Sequence, residues 1–297
     1  MPPVPTLKLS DGNEIPVLSY GFGTANFGGK EDDISTKAVM AINNGYYHLD
    51  CAEVYGNESG VGAGIKASGV PREKLFVTTK VTGSLNQDVS AALDASLQKL
   101  GLDYVDLYLL HVPFSAGSPE GLQDIWRQLE ATLATGKVKS IGVSNFEQDD
   151  LEILLKTAKV KPVINQIEYH PYLQHGDLVG FCRSHGIAVA AYSPLAAITA
   201  ARPGPVDDIY AELAKKYGVS EGDVAFRWCL DQDVPVITTS AREQRLQGYM
   251  NSLFKFKLAP EEIAKITKLG TQKHYQGIGI AFMTNMFGNY KTGAAPP

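Results

Sequence analysis

Cysteine is scarce in this chain: the three present, Cys51, Cys182 and Cys229, stand far apart and odd in number. That pattern excludes a disulfide framework and shows no zinc-ligand spacing, so buried reduced thiols, no metal and a cytoplasmic setting are expected. Basic charge is also short, with 27 Lys and Arg against 32 Asp and Glu and a net charge of -5. Nucleic acid or an anionic membrane would call for a basic face, so neither is expected as a partner. No apolar run approaches the ~18 residues of a membrane span. The opening MPPVPTLKLSDG lacks the charged-then-apolar layout of a secretory signal. Nor does any linker, low-complexity tract or composition shift divide the 297 residues. One domain over 1–297 is predicted, with a hairpin in 1–18 and a tail at 270–297. A monomer is expected, since no exposed apolar patch can be read.

What the chain does have is alternation. LKLSDGNEIPVL (7–18) reads as a hairpin with Asp11-Gly12 at its turn. Eight strand candidates follow, at 18–23, 46–50, 74–81, 104–111, 138–144, 163–169, 187–194 and 234–240. Helical patterns separate them at 31–44, 57–68, 87–100, 121–135, 147–157, 175–185, 206–217 and 242–250, with an extra helix at 220–232. The strands are mostly continuous apolar runs, as parallel strands covered on both faces require. Glycines follow the helical patterns (Gly45, Gly101, Gly136, Gly186, Gly218), and Ser220 to Asp223 resembles a capping box. Eight such units predict an α/β protein, a (β/α)8 TIM barrel with an N-terminal β-hairpin and extra helices near the C-terminus. A doubly wound sheet would need a Gly-rich fingerprint after its first strand. Gly21-Phe-Gly23 and Gly60-Val-Gly62-Ala-Gly64 match it poorly.

Four polar residues follow apolar runs in the first part of the chain. Asp50 and Tyr55 lie in LDCAEVYGNE, Lys80 in LFVTTKV and His111 in DLYLLHVP. Strand ends of a parallel barrel open on one face, so the four can meet. A phenol has an ordinary pKa near ~10; a neighbouring ammonium is expected to pull it down, and an aspartate to keep that ammonium charged. His111 can orient a carbonyl oxygen or share its proton. The set fits protonation of an alkoxide as hydride arrives from a cofactor. A barrel hydrolase using Asp50 and Glu53 is the competing reading, since glycoside hydrolysis needs two carboxylates facing one bond.

Over roughly residues 6–260 the chain resembles the aldo-keto reductase family, on GFGTANF, LDCAEVYGNE, LFVTTKV, DLYLLHVP, GKVKSIGVSNF, PVINQIEYHPYLQ and AAYSPL. The resemblance implies NADPH-dependent reduction of aldehydes or ketones without a metal, with Asp50, Tyr55, Lys80 and His111 as a catalytic tetrad and Tyr55 as its acid. It implies that Ser144, Asn145 and Gln166 hold the nicotinamide carboxamide and that Tyr192 stacks on the ring. Ser193 and Leu195 would meet the pyrophosphate, with Gly21, Gly23 and Thr24 beside the cofactor. Ile237-Thr238-Thr239-Ser240 stands where the family usually has I-P-K-S, so Thr239 replaces the phosphate-binding lysine. Arg245 then becomes the main determinant of NADPH preference, with Arg242 close by and Ser240 also at the cofactor. Val112 follows the histidine where the family commonly has tryptophan, and the segment Pro113–Glu120 is short. Phe27, Val54, Phe114 and, from the tail, Phe282 and Met286 are candidate substrate contacts. These departures are similar to a fungal subgroup that reduces conjugated polyketones, ketopantoyl lactone and α-keto amides or esters. An aldose reductase and a non-catalytic NADPH sensor are the alternatives within the family.

Overall fold

A computed structural model describes residues 4–278. Strands β1 (Thr6–Lys8) and β2 (Glu14–Pro16) pair antiparallel, Leu7 opposite Ile15, around a turn where Gly12 takes φ +92. Leu9 and Ile15 then share a buried cluster with Phe76 and Ile164, which open β5 and β8, and with Leu107, Leu109, Val163 and Ala190. The hairpin thus plugs the barrel at its N-terminal end. Asn13 and Asp11 fasten it to Ser140, at 3.0 and 2.7 Å.

The barrel strands are β3 (Leu18–Gly21), β4 (His48–Asp50), β5 (Phe76–Val81), β6 (Val105–Leu110), β7 (Val138–Ser144), β8 (Ile164–Glu168), β9 (Ala188–Tyr192) and β10 (Val236–Thr238). They close in the order β10-β3-β4-β5-β6-β7-β8-β9, with β10 pairing parallel to β3. Each falls inside its predicted apolar run. Every residue of β5, β6 and β8 is buried, the polar Thr78, Thr79, Lys80, Asp106, Asn165, Gln166 and Glu168 included.

Around them lie α1 (Glu31–Asn43), α2 (Glu58–Ser68), α3 (Val89–Leu100), α4 (Pro119–Leu133), α5 (Gln148–Leu155), α6 (Leu178–Ser184), α7 (Asp207–Tyr217), α8 (Glu221–Leu230), α9 (Glu243–Ser252) and α10 (Pro260–Gly270). In α4, Leu122, Ile125, Trp126 and Leu129 form one buried stripe at helical spacing. Each fully buried large apolar side chain contributes about 1.5–3 kcal/mol. Trp126 keeps its indole N–H satisfied on the Val160 carbonyl at 3.0 Å. The box starting α8 forms as expected, with Asp223 N donating to Ser220 Oγ and Ser220 N to Asp223 Oδ2.

Two features go beyond what the sequence reading specified. Helix α10 was not among the helical patterns, although Pro260, Glu261 and Glu262 mark its first turn; Ala259 N donates to Glu262 Oε2 at 2.7 Å. The glycines of 60–64 serve helix packing. A Cβ at Gly60 would come within 2.7 Å of the Ile34 Cβ, and one at Gly64 within 2.5 Å of the Ala38 Cβ. One at Gly62 would strike the Leu100 carbonyl. The three cysteines are all free and buried. No helix among the described residues is long and apolar enough to cross a membrane.

Candidate active site

The C-terminal strand ends carry the site. Asp50 closes β4, Lys80 lies one residue before the end of β5, and His111 follows β6 directly. Tyr55 is not on a strand end: it closes a 3-10 turn, Glu53–Tyr55, that leads into α2. The turn folds back over β4, and the four groups converge. Lys80 Nζ donates to Asp50 Oδ1 at 2.5 Å and to the Cys51 carbonyl at 2.8 Å, and stands 3.5 Å from Tyr55 Oη. The His111 ring meets the Tyr55 ring edge-on, centroids 5.5 Å apart. Asp50 Oδ2 accepts from Gln166 Nε2 at 2.8 Å, so one carboxylate ties the lysine to β8 across the barrel.

Lys80 is wholly buried. Burial alone would lower its pKa, but Asp50 and Tyr55 together outweigh that and raise it, so the ammonium persists. For Tyr55 burial is the largest influence and raises the pKa; Lys80 pulls down and Asp50 pushes up. The net direction is upward, which corrects the expectation from sequence. The lysine softens the shift without reversing it, and at neutral pH the phenol keeps its proton. Burial, reinforced by Lys80, drives His111 well below the usual histidine range, so its imidazole is neutral.

These groups open on a cavity of about 340 Å³. Asp50, Tyr55 and His111 line it together with Ser144, Asn145, Gln166, Tyr192, Ser193 and Leu195, and with Thr238, Thr239 and Arg245. Carboxyl, phenol, imidazole, amide and guanidinium groups thus share one cavity wall. Small residues shape it. A Cβ at Gly21 would lie 2.7 Å from Ile237 Cγ2, and one at Gly23 would lie 3.3 Å from Tyr55 Oη. Asn145 and Ser193 adopt left-handed φ of +61 and +53, a conformation costing ordinary residues about 1–2 kcal/mol. Tyr192 donates to Asn145 Oδ1 at 2.7 Å, and Asn145 Nδ2 donates to the His111 carbonyl at 3.0 Å and to Ser144 Oγ at 3.1 Å. A carboxamide binding here must share or exchange these bonds.

Other predicted residues lie elsewhere. Lys80 sits beneath the cavity floor, and Ser240 is buried beside it, its carbonyl accepting from Tyr20. Phe27, Val54 and Phe114 are outside the cavity wall; Phe27 is exposed, its ring 6.5 Å from that of Tyr55. Thr24 begins the turn Thr24–Asn26. Phe282 and Met286 lie outside the described residues. Glu53 turns away from the cavity, accepting from Thr82 N and from Gln87 Nε2, so Asp50 and Glu53 do not face a common bond.

One wall was missed. Glu168 lines the cavity with Tyr275, Gly277 and Ile278, and its two oxygens accept from Gly277 N and Ile278 N at 2.8 and 2.9 Å. Burial would raise this carboxyl, but hydrogen bonds from His170 and those two amides outweigh it and hold it below the usual range. Glu168 is two residues past Gln166 on one strand, hence on the same face, and that spacing was a usable signal.

Known proteins agree with this geometry. The sequence model described as Aldo/keto reductase family matches residues 20–271. The chain is 42% identical to the NAD/NADP-dependent indole-3-acetaldehyde reductase of Schizosaccharomyces pombe, over 89% of this chain and 94% of that one. It is 39% identical to the NADPH-dependent alpha-keto amide reductase of Saccharomyces cerevisiae, over 89% and 90%. The crystal structure of a Bombyx mori aldo-keto reductase in complex with NADP superposes with a TM-score of 0.86 at 36% identity, covering 98% of this chain and 99% of that one. The chain belongs to the aldo/keto reductase family.

Proposed function

We propose that this protein is an NADPH-dependent carbonyl reductase acting by preference on α-dicarbonyl compounds such as diketones, keto lactones and α-keto amides or esters. The observation that carries the reading is the Tyr55 hydroxyl, held 3.5 Å from a buried ammonium that Asp50 pins at 2.5 Å, on the wall of a cavity that Arg245 also lines. The wall residues suit that cofactor. Side-chain amides stand on the cavity wall for a carboxamide, glycines leave room at Gly21 and Gly23, and Arg245 supplies a fork for phosphate.

NADPH, when bound, supplies hydride. The chain's own residues do the rest. Neutral His111 donates a hydrogen bond that orients the carbonyl oxygen toward Tyr55. Tyr55 Oη then gives that oxygen its proton. As the phenol becomes phenolate, the Lys80 ammonium stabilises the new negative charge, and Asp50 keeps the lysine protonated. Gln166 holds the second oxygen of Asp50 in place.

The substrate class rests on two supports. Only residues 111–118 separate β6 from α4, so no long loop overhangs Tyr55 and His111 on that side. One relative is named as an alpha-keto amide reductase. The test is an NADPH-oxidation screen across diketones, keto lactones, α-keto amides, simple aldehydes and xylose, repeated with NADH. Strong turnover of xylose with none of α-dicarbonyls overturns the substrate class. Tyr55→Phe should lower turnover by about 10²–10⁴ while retaining NADPH binding; unchanged turnover removes the acid assignment. Wild-type protein that binds NADPH but turns over no carbonyl identifies a sensor instead.

A further inference from the structure

The part of the cavity assigned above to the adenosine phosphate offers one formal charge on its wall, Arg245, because the neighbouring Thr239 has none. Behind Thr239 lies a second cation. Asn26, nearly fully buried, donates from Nδ2 to Thr239 Oγ1 at 3.3 Å and to the Gly21 carbonyl at 3.4 Å. Its Oδ1 accepts from Lys37 Nζ, on α1, at 2.9 Å. An amide has one oxygen and one nitrogen, so the lysine on the oxygen side fixes which way the nitrogen points. Thr239 is thus held from two sides, its Oγ1 accepting from Asn26 and its side chain also hydrogen-bonding Tyr20. Asp33, one turn earlier on α1, also holds Lys37 Nζ at 2.7 Å and offsets part of its charge.

We infer that Lys37 is a specificity-determining residue for the 2′-phosphate of NADPH, acting through Asn26 on Thr239 and adding long-range positive charge to that of Arg245. The inference rests on the NADPH reading. No contact between lysine and phosphate is required. A unit charge about 8 Å from a phosphate of roughly two negative charges, in a water-like medium, changes affinity about fivefold at low ionic strength. Salt at physiological strength, with a Debye length of about 8 Å, reduces that effect.

The experiment measures dissociation constants of NADPH and NADH by fluorescence titration, and of adenosine 2′,5′-bisphosphate and AMP as probes lacking the nicotinamide. Lys37→Met should weaken NADPH and the bisphosphate about fivefold, leave NADH and AMP unchanged, and lose its effect in high salt. Asp33→Asn, which frees the lysine, should tighten NADPH. In a Thr239→Lys background, the part of the Lys37→Met effect that runs through Asn26 and Thr239 should vanish and only the salt-sensitive part remain. A merely structural lysine would shift phosphorylated and unphosphorylated probes alike, and that result overturns the inference. So does an unchanged NADPH constant in Lys37→Met when Arg245→Ala weakens NADPH. Equal binding of NADPH and NADH by the wild type overturns the reading beneath it.

Discussion

Asp50→Asn removes the charge opposite Lys80 while keeping the side chain's size. In the native protein that ammonium is 0% exposed and held at 2.5 Å by Asp50 and 2.8 Å by the Cys51 carbonyl. Leaving a buried charge without its partner costs about 3–5 kcal/mol. Deprotonation sets a ceiling on the loss. Neutralising a lysine of ordinary pKa ~10.4 at pH 7 costs about 4.6 kcal/mol, at 1.36 kcal/mol per pH unit. Urea unfolding at pH 7 should therefore show a loss of roughly 3–4 kcal/mol. The pH dependence is more diagnostic. In the native protein burial lowers the Lys80 pKa, but Asp50 and Tyr55 raise it further, so the folded value exceeds the unfolded one. Its contribution is then complete below ~10.4 and is lost only as pH climbs through the folded value. In the variant burial is largely unopposed and the folded value falls below ~10.4. The variant regains stability between its lowered pKa and ~10.4, by up to about 1.4 kcal/mol per unit. The gap between the two proteins should close from pH 7 to pH 10, and NADPH-dependent turnover should fall at least ~10²-fold at pH 7. A gap that widens or stays level over that range refutes the claim that Asp50 keeps Lys80 charged.

The neutral His111 and raised Tyr55 predict a kcat/KM profile with no step near pH 6.5 and a decline only at alkaline pH, where the phenol loses its proton. A step near 6.5 that disappears in His111→Asn contradicts this. Arg245→Ala should raise the KM for NADPH at least ~10-fold and leave that for NADH nearly unchanged, since a charge-assisted bond to phosphate contributes more than a neutral one. An unaltered NADPH KM removes Arg245 from the site. At Gly142, within β7, an added Cβ would lie 2.7 Å from the Ile164 carbonyl oxygen and 2.8 Å from Leu109 Cδ2. Gly142→Ala should cost about 1–3 kcal/mol in chemical denaturation, as overpacking does; wild-type stability would mean the strands separate freely there.

The barrel was legible because its signals are local and agree with one another. β7 begins and ends where its apolar run does, and the hairpin shows both its alternation and its Asp11-Gly12 turn. The meeting of Asp50, Lys80 and His111 was legible too, since parallel strands send their ends to one face; Tyr55 reaches them from the turn after β4. What sequence could not supply was the balance of opposing forces and the long-range partners. Lys80 beside Tyr55 suggests a lowered phenol pKa; only the extent of burial reveals that the shift runs the other way. The Asp50–Gln166 bond joins residues 116 positions apart, and the Glu168 bond to Ile278 N spans 110. Nothing within either local stretch announces such a pairing. The glycines at 60, 62 and 64 likewise have their reason elsewhere, in helix faces that belong to distant segments.

The hairpin stopper divides the molecule into a closed base and an open mouth. Leu9 and Ile15 fill the base, so among the described residues substrate entry and product exit share the doorway at the strands' far ends. Traffic through that doorway must be sequential: a departing alcohol has to clear it before the next carbonyl arrives. The same polarity suits immobilisation. Coupled to a solid support through the hairpin end, the protein would keep its doorway turned to the solution, where a tether near Tyr55 would obstruct it.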